Sequence, residues 1–259
     1  MSITNEVLER NRESGRGTLV GYFPAGYPSK QDSIDSLVAM AENGCDILEI
    51  GVPYSDPVMD GLVIQHATED AIANGFRLRD LFDIIKGVRE KVDTPLLVMS
   101  YWNPVLSYGV ERFSEDLAAA GAQGMITPDL IPDEAKDWIA QSDKHGLDRV
   151  FLVAPSSSDA RVENNSQSSK GFVYSVSTMG ITGERTELDR LARSVVSRVK
   201  SLGTTPTCVG VGISTADQVR EVNSYADGAI VGTAFVKAYQ QGGLEALVAK
   251  TKELAGGLG

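Results

Sequence analysis

One unit recurs along this chain and limits what it can fold into: an amphipathic helix, a glycine, then a short apolar strand. In Ser33–Gly44 the apolar residues Ile34, Leu37, Val38 and Ala41 follow the i, i+3, i+4, i+7 spacing of one buried helical face. Gly44 ends that helix, and Asp46–Ile50 follows as a strand. The same grammar places Gly121 before Gln123–Thr127, Gly146 before Asp148–Val153 and Gly203 before Thr207–Gly210. Strands that alternate with helices pair in parallel through helical crossovers.

The apolar runs give eight strands: Thr18–Phe23, Asp46–Ile50, Pro95–Ser100, Gln123–Thr127, Asp148–Val153, Gly171–Val176, Thr207–Gly210 and Asp227–Val231. Eight such units in 259 residues is the arithmetic of a (β/α)8 TIM barrel, an α/β fold. A doubly wound open sheet is the rival. It usually has fewer strands and a G-x-G-x-x-G turn after the first, whereas Thr18–Phe23 runs into Pro24-Ala-Gly-Tyr-Pro28. No linker or change of composition divides the chain, so one domain over residues 1–259 is expected. Two segments exceed the minimal barrel. Ser2–Glu13 is expected as an extra N-terminal helix closing the barrel's bottom. Leu62–Ala73 is expected as an extra helix after strand 2, before that strand's own helix, Leu78–Val92.

Composition narrows the classes of function. Twenty-four Lys and Arg against 35 Asp and Glu leave a net charge of −11, which repels a nucleic-acid backbone. No apolar run approaches the ~20 residues of a membrane helix, and the N-terminal MSITNEVLERNRESGRG has no apolar export signal. The two cysteines, Cys45 and Cys208, lie far apart in apolar surroundings and read as reduced buried thiols. A cytoplasmic protein without nucleic-acid or membrane partners is expected.

Barrel chemistry belongs at the strand C-termini and the loops beyond them. Glu49, between Leu48 and Ile50, faces the opposite way from both. The inward position near the mouth suits it, and partial desolvation there raises its pKa toward proton-transfer work; the competing reading is a structural Glu in a buried ion pair. The loop that follows carries Asp56 and Asp60. Asp60 over the mouth would pair with Glu49 as acid and base, and Asp56, before Pro57, reads as a turn or N-cap residue. Strand seven ends in Gly210-Val-Gly-Ile-Ser214 and strand eight in Gly232-Thr-Ala234, and helix starts at Ser214 and Thr233 would present N–H groups to a phosphate. A third loop, Ser177–Arg185, has the glycines and hydroxyls of a lid. Tyr174 points to the mouth if Val173 faces the helices; the residues alone leave open whether it is core.

Other chemistries lack their residues. A Schiff-base aldolase needs a Lys at a strand's C-terminal end, and Lys170, the nearest, precedes strand six. A metal-dependent aldolase wants clustered His and carboxylates, but His66 falls in the extra helix and His145 in the turn before strand five. Carboxylate acid–base work on a phosphorylated small molecule remains, with no metal site.

The run Glu49-Ile-Gly-Val-Pro-Tyr-Ser-Asp-Pro-Val-Met-Asp-Gly61 with Ile64-Gln65 resembles the signature of the tryptophan synthase α-subunit family. Tyr101-Trp-Asn-Pro104, Pro128-Asp-Leu130, Gly180-Ile-Thr-Gly183, Gly210–Ser214 and Gly232–Ala234 extend the resemblance over essentially the whole chain. It implies retro-aldol cleavage of indole-3-glycerol phosphate to indole and glyceraldehyde 3-phosphate, with Glu49 and Asp60 as the catalytic carboxylates. It carries substrate contacts onto Tyr22 and Tyr174, and phosphate contacts onto Gly183, Gly212, Gly232 and Thr233. It also implies no cofactor in this chain and a partner β subunit holding pyridoxal phosphate, in an α-β-β-α heterotetramer. Departures from common family residues fall at Ala25–Pro28, Met59, Leu62, Thr178-Met179 and Thr233, and none removes a carboxylate. The alternatives are an indole-releasing lyase that works without β, another phosphate-binding isomerase or cyclase barrel, and a non-catalytic regulatory barrel. The last needs neither carboxylate.

Overall fold

The computed structural model describes residues 2–176, 185–203, 205–210 and 212–259, and of residues 185–188 the backbone alone. Eight parallel strands pair in chain order and close on themselves: β1 (Leu19–Pro24), β2 (Ile47–Gly51), β3 (Leu96–Met99), β4 (Gly124–Thr127), β5 (Asp148–Val153), β6 (Val173–Val176), β7 (Thr207–Gly210) and β8 (Gly228–Val231). The β1–β8 ladder, with Val20 opposite Ile230, completes the barrel. Among the described residues the helices are α1 (Ile3–Glu13), α2 (Lys30–Glu42), α3 (Leu62–Ala73), α4 (Asp80–Arg89), α5 (Trp102–Tyr108), α6 (Val110–Ala120), α7 (Lys136–His145), α8 (Asp159–Ser168), α9 (Arg185–Leu202), α10 (Ala216–Asn223) and α11 (Thr233–Ala255). The expected (β/α)8 TIM barrel is the fold.

Strand alternation sorts the side chains into two cores. Val20, Ile47, Leu97, Ile126, Val150, Phe172, Cys208 and Ile230 point inward and pack together. Their neighbours Leu19, Leu48, Ile50, Leu96, Val98 and Val209 point outward into the layer shared with the helices. Because both faces are covered, the strands are apolar almost throughout, as buried parallel strands are. Cys45 and Cys208 are free thiols, one in each core.

α1 closes the bottom of the barrel. Ser2 caps it, its hydroxyl accepting the Asn5 N–H, and Val7 and Leu8 insert into the inner core. The Asn5 amide donates to the Gly171 carbonyl at the entry to β6, 2.6 Å away. The other expected addition, Leu62–Ala73, forms over those residues as α3 and packs on β1 and α11.

Boundaries shift where local hydrogen bonds intervene. α2 begins at Lys30, three residues before the expected start, because the Ser29 hydroxyl accepts the Asp32 N–H. It ends at Glu42, with Gly44 just beyond. The helix expected over Leu78–Val92 contracts to Asp80–Arg89, since the Asp80 carboxylate turns back to accept the Arg77 N–H. Strand six starts at Val173, after Gly171 turns with φ 88°. α5 is a third addition that the apolar pattern did not reveal: seven residues are too few to display a helical period.

Leu8 is 1% exposed in the inner core. Leu8→Ala is therefore expected to lower unfolding free energy by about 2–4 kcal/mol in urea titrations, through lost burial and a cavity under the barrel.

Candidate active site

The upper end of the barrel opens into a cavity of about 460 Å³. Its floor and walls carry Tyr22, Glu49, Met99, Ile126, Leu152, Tyr174 and Ile230, inward residues near the ends of six neighbouring strands and β8. Glu49 points inward, as the outward burial of Leu48 and Ile50 requires. It lies beside Tyr22 in the β1–β2 register and beside Leu97 in the β2–β3 register. Only 2% of it is exposed, and its Oε2 has no hydrogen-bond partner. Burial, reinforced by the Asp60 charge, pushes its pKa up to about 8. Among the described residues Glu49 makes no ion pair.

The loop after β2 delivers Asp60 to the same cavity. The Met59 N–H donates to the Tyr101 hydroxyl at 2.9 Å, and the Gln65 amide donates to the Asp60 carbonyl at 3.0 Å. Tyr101 is in turn stacked near Tyr54, ring centroids 5.4 Å apart, and the Asn103 amide donates to the Tyr54 hydroxyl. The Asp129 carboxylate accepts the Trp102 N–H that opens α5. The Tyr101–Pro104 and Pro128–Leu130 segments thus brace the loop that holds Asp60. Burial lifts the Asp60 carboxyl to about 6, below Glu49 because Asp60 is half-buried at the mouth. Asp56 is exposed, takes a hydrogen bond from the Ser55 hydroxyl and does not line the cavity, in keeping with a turn role.

Two phenols share the cavity with Glu49, and two glycines make room for them. A Cβ on Gly51 would stand 2.1 Å from the Tyr22 hydroxyl, and one on Gly210 would stand 2.6 Å from that of Tyr174. Tyr174 does face the barrel interior, while Val173 packs outward against Val162, Val195 and Val199. Burial first, then the Asp60 and Glu49 charges for Tyr22 and the Glu49 charge for Tyr174, raise both hydroxyls well above the usual phenol range. Both therefore stay protonated.

Gly210, Gly212, Ile213, Ser214, Gly232, Thr233 and Ala234 also line the cavity. α11 starts at Thr233 with no side-chain cap; the Phe235 and Val236 N–H groups donate to the Gly232 carbonyl, and Thr233 and Ala234, ahead of them at the positive end of the helix, line the cavity. The helix start expected at Ser214 is a correction. α10 begins at Ala216, capped by Thr215, and the Ser214 N–H donates to the Gln218 side chain at 2.7 Å.

A family model described as "Tryptophan synthase alpha chain" matches residues 8–258. A protein of that description from Leifsonia xyli is 56% identical over 257 residues, covering 99% of this chain and 98% of the relative. The structure of Mycobacterium tuberculosis tryptophan synthase includes a chain that superposes with a TM-score of 0.94 at 47% identity, with 99% and 98% of the two chains covered. A chain of the tryptophan synthase complex from Pyrococcus furiosus gives 0.85 at 34% identity, with 93% and 99% covered. The chain belongs to the tryptophan synthase alpha chain family. It is a carbon–carbon lyase of tryptophan biosynthesis that cleaves indole-3-glycerol phosphate to indole and glyceraldehyde 3-phosphate, the indole passing to a β subunit.

Within this family frame the cavity gathers Glu49, Asp60, Tyr22, Tyr174, Gly212, Gly232 and Thr233. Gly183 and most of the Ser177–Arg185 segment lie outside the described residues. His66 is exposed on α3 and His145 ends α7, both away from the cavity. Several cavity residues were not foreseen, among them Met99, Ile126, Leu152 and Ile230 on the strands and Lys237 on the second turn of α11. The signal for Lys237 was its place four residues after Thr233, on the same helical face.

A carboxylate whose pKa is raised by folding adds stability below its unfolded pKa, and loses it as pH rises through the folded value. For Glu49 that window runs from about 4.5 to about 8. Glu49→Gln is therefore expected to match wild-type stability at pH 5 and to exceed it at pH 9 by up to about 4 kcal/mol in urea unfolding.

Proposed function

We propose that Glu49 and Asp60 divide the proton chemistry of this cleavage between them. The supporting observation is that two carboxyl groups face one cavity with their pKa values pushed apart, to about 8 and about 6. Near neutral pH Glu49 is the acid and Asp60 the anion. Glu49 delivers its proton to indole C3, and Asp60 accepts the indole N–H and stabilises the positive charge that spreads over the ring. The Glu49 carboxylate then takes the proton of the hydroxyl on the neighbouring carbon. The C–C bond breaks, its electron pair returns to the ring, and the new carbonyl becomes glyceraldehyde 3-phosphate. Glu49 ends protonated, as it began.

The cavity lining offers partners for both parts of the substrate. Met99, Ile126, Leu152 and Ile230 offer an apolar wall for indole, with Tyr22 and Tyr174 lining the same cavity. Gly212, Gly232 and Thr233, together with Gly183, receive the phosphate through backbone N–H groups and the α11 dipole. The whole chain, residues 1–259, acts as one barrel domain. It carries no cofactor of its own.

The partner is a β subunit that holds pyridoxal phosphate, assembled with this chain as an α-β-β-α heterotetramer in the cytoplasm. Val58, Leu62 and Leu106 support a docking face beside the Asp60 loop: three large apolar side chains, 73%, 64% and 54% exposed, lie on that loop, at the start of α3 and on α5. A partner seated there bears on the segment that positions Asp60.

Glu49→Gln is expected to lower turnover by at least about 10³-fold and Asp60→Asn by about 10²-fold, with substrate binding retained. Release of glyceraldehyde 3-phosphate, with and without β subunit, is the measurement. Near-normal turnover in Glu49→Gln removes the proton shuttle, and a rate indifferent to β favours the lyase that works alone.

A further inference from the structure

The chain carries a net charge of −11, and the cavity holds two carboxyl groups. A phosphorylated substrate approaching it meets repulsion unless a local positive group offsets this. Among the described residues, Lys237 is the one Lys or Arg lining the cavity. It forms no ion pair or hydrogen bond among them, in contrast to Lys30, Lys91 and Lys250, which are held by carboxylates.

Its place on α11 gives it a direction. Side chains on a helix lean toward the N-terminus, and residues four apart share a face. Lys237 lies four residues after Thr233, so its stem leans back over the first turn of the helix, which lines the cavity. The helix's partial positive charge and a full ammonium charge then converge on one spot. Lys237 is exposed to solvent, so an incoming anion can reach its side chain.

We infer that Lys237 is a substrate-positioning residue: its ammonium pairs with the phosphate of the bound substrate and draws the anion into the cavity. This deepens the proposed phosphate end of the site and rests on that reading. Lys237 is exposed on α11 whereas Glu49 is buried in the barrel wall, and Lys237 takes no part in proton transfer. Its interaction is the same before and after C–C cleavage, so it contributes to binding and not to the chemical step.

The test uses the full chain with Lys237→Met, which keeps the stem and removes the charge, and Lys237→Arg, which keeps a charge. Glycerol 3-phosphate binding is measured by calorimetry from low to high salt, with glycerol as the uncharged control. Lys237→Met is expected to weaken glycerol 3-phosphate about tenfold at low salt and to flatten the salt dependence, with Lys237→Arg within about threefold of wild type. In turnover assays Lys237→Met is expected to raise KM by a similar factor, with kcat within about twofold. Unchanged affinity and salt dependence in Lys237→Met, or no glycerol 3-phosphate binding by wild type, overturns the inference. Binding by wild type without cleavage of indole-3-glycerol phosphate overturns the reaction assignment instead, while the role of Lys237 is still decided by the binding series.

Discussion

A closed parallel sheet has no edge, and the two-residue period of each strand assigns every side chain to the barrel interior or to the helix layer. The rest of this molecule depends on that assignment. Once Ile47 packs inward and Leu48 outward, Glu49 has only the interior available. The same rule sends Tyr22 and Tyr174 inward from β1 and β6. Apolar residues fill the lower interior and α1 seals it, so solvent reaches Glu49 only from the mouth.

That geometry turns two chemically similar carboxyl groups into an acid and an anion. Glu49 sits in the barrel wall with an unpartnered oxygen, and the lost hydration holds its proton. Asp60 rides on a loop at the rim, where it is less desolvated and ionises more easily. The difference comes from depth, not residue type. It depends on how rigidly the loop is held, and here the loop is pinned by Tyr101 and Gln65. The braces lie on β3's following segment and on α3, so the elaborations beyond the minimal barrel serve to hold Asp60 over the mouth.

The cavity lining is also of two kinds. Apolar strand residues accompany the carboxyl groups, and glycine-rich strand ends, the start of α11 and Lys237 complete the lining. A substrate with a flat aromatic head and a phosphate tail engages both kinds. Orientation is thereby set by groups that do no chemistry, which leaves Glu49 and Asp60 facing the reacting bond.

The amino-acid sequence by itself determined the fold class, because eight helix–glycine–strand units leave few topologies open to a chain of this length. Alternation set Glu49 on the opposite face from Leu48 and Ile50, and the cost of a carboxylate among apolar groups favoured the interior for it. Tertiary structure decided the rest. Whether Tyr174 was core or cavity depended on what its strand neighbours packed against, which periodicity does not encode. The Ser214 amide, expected to face an anion, was claimed by the Gln218 side chain, a local competition that a glycine motif does not reveal. α5 was too short to show a period, and nothing in the local pattern around Lys237 marked it before the barrel brought the start of α11 to the cavity. Strand and helix patterns are set by near neighbours along the chain, whereas desolvation, hydrogen-bond competition and a shared cavity are set by groups distant in sequence that only the closed barrel brings together.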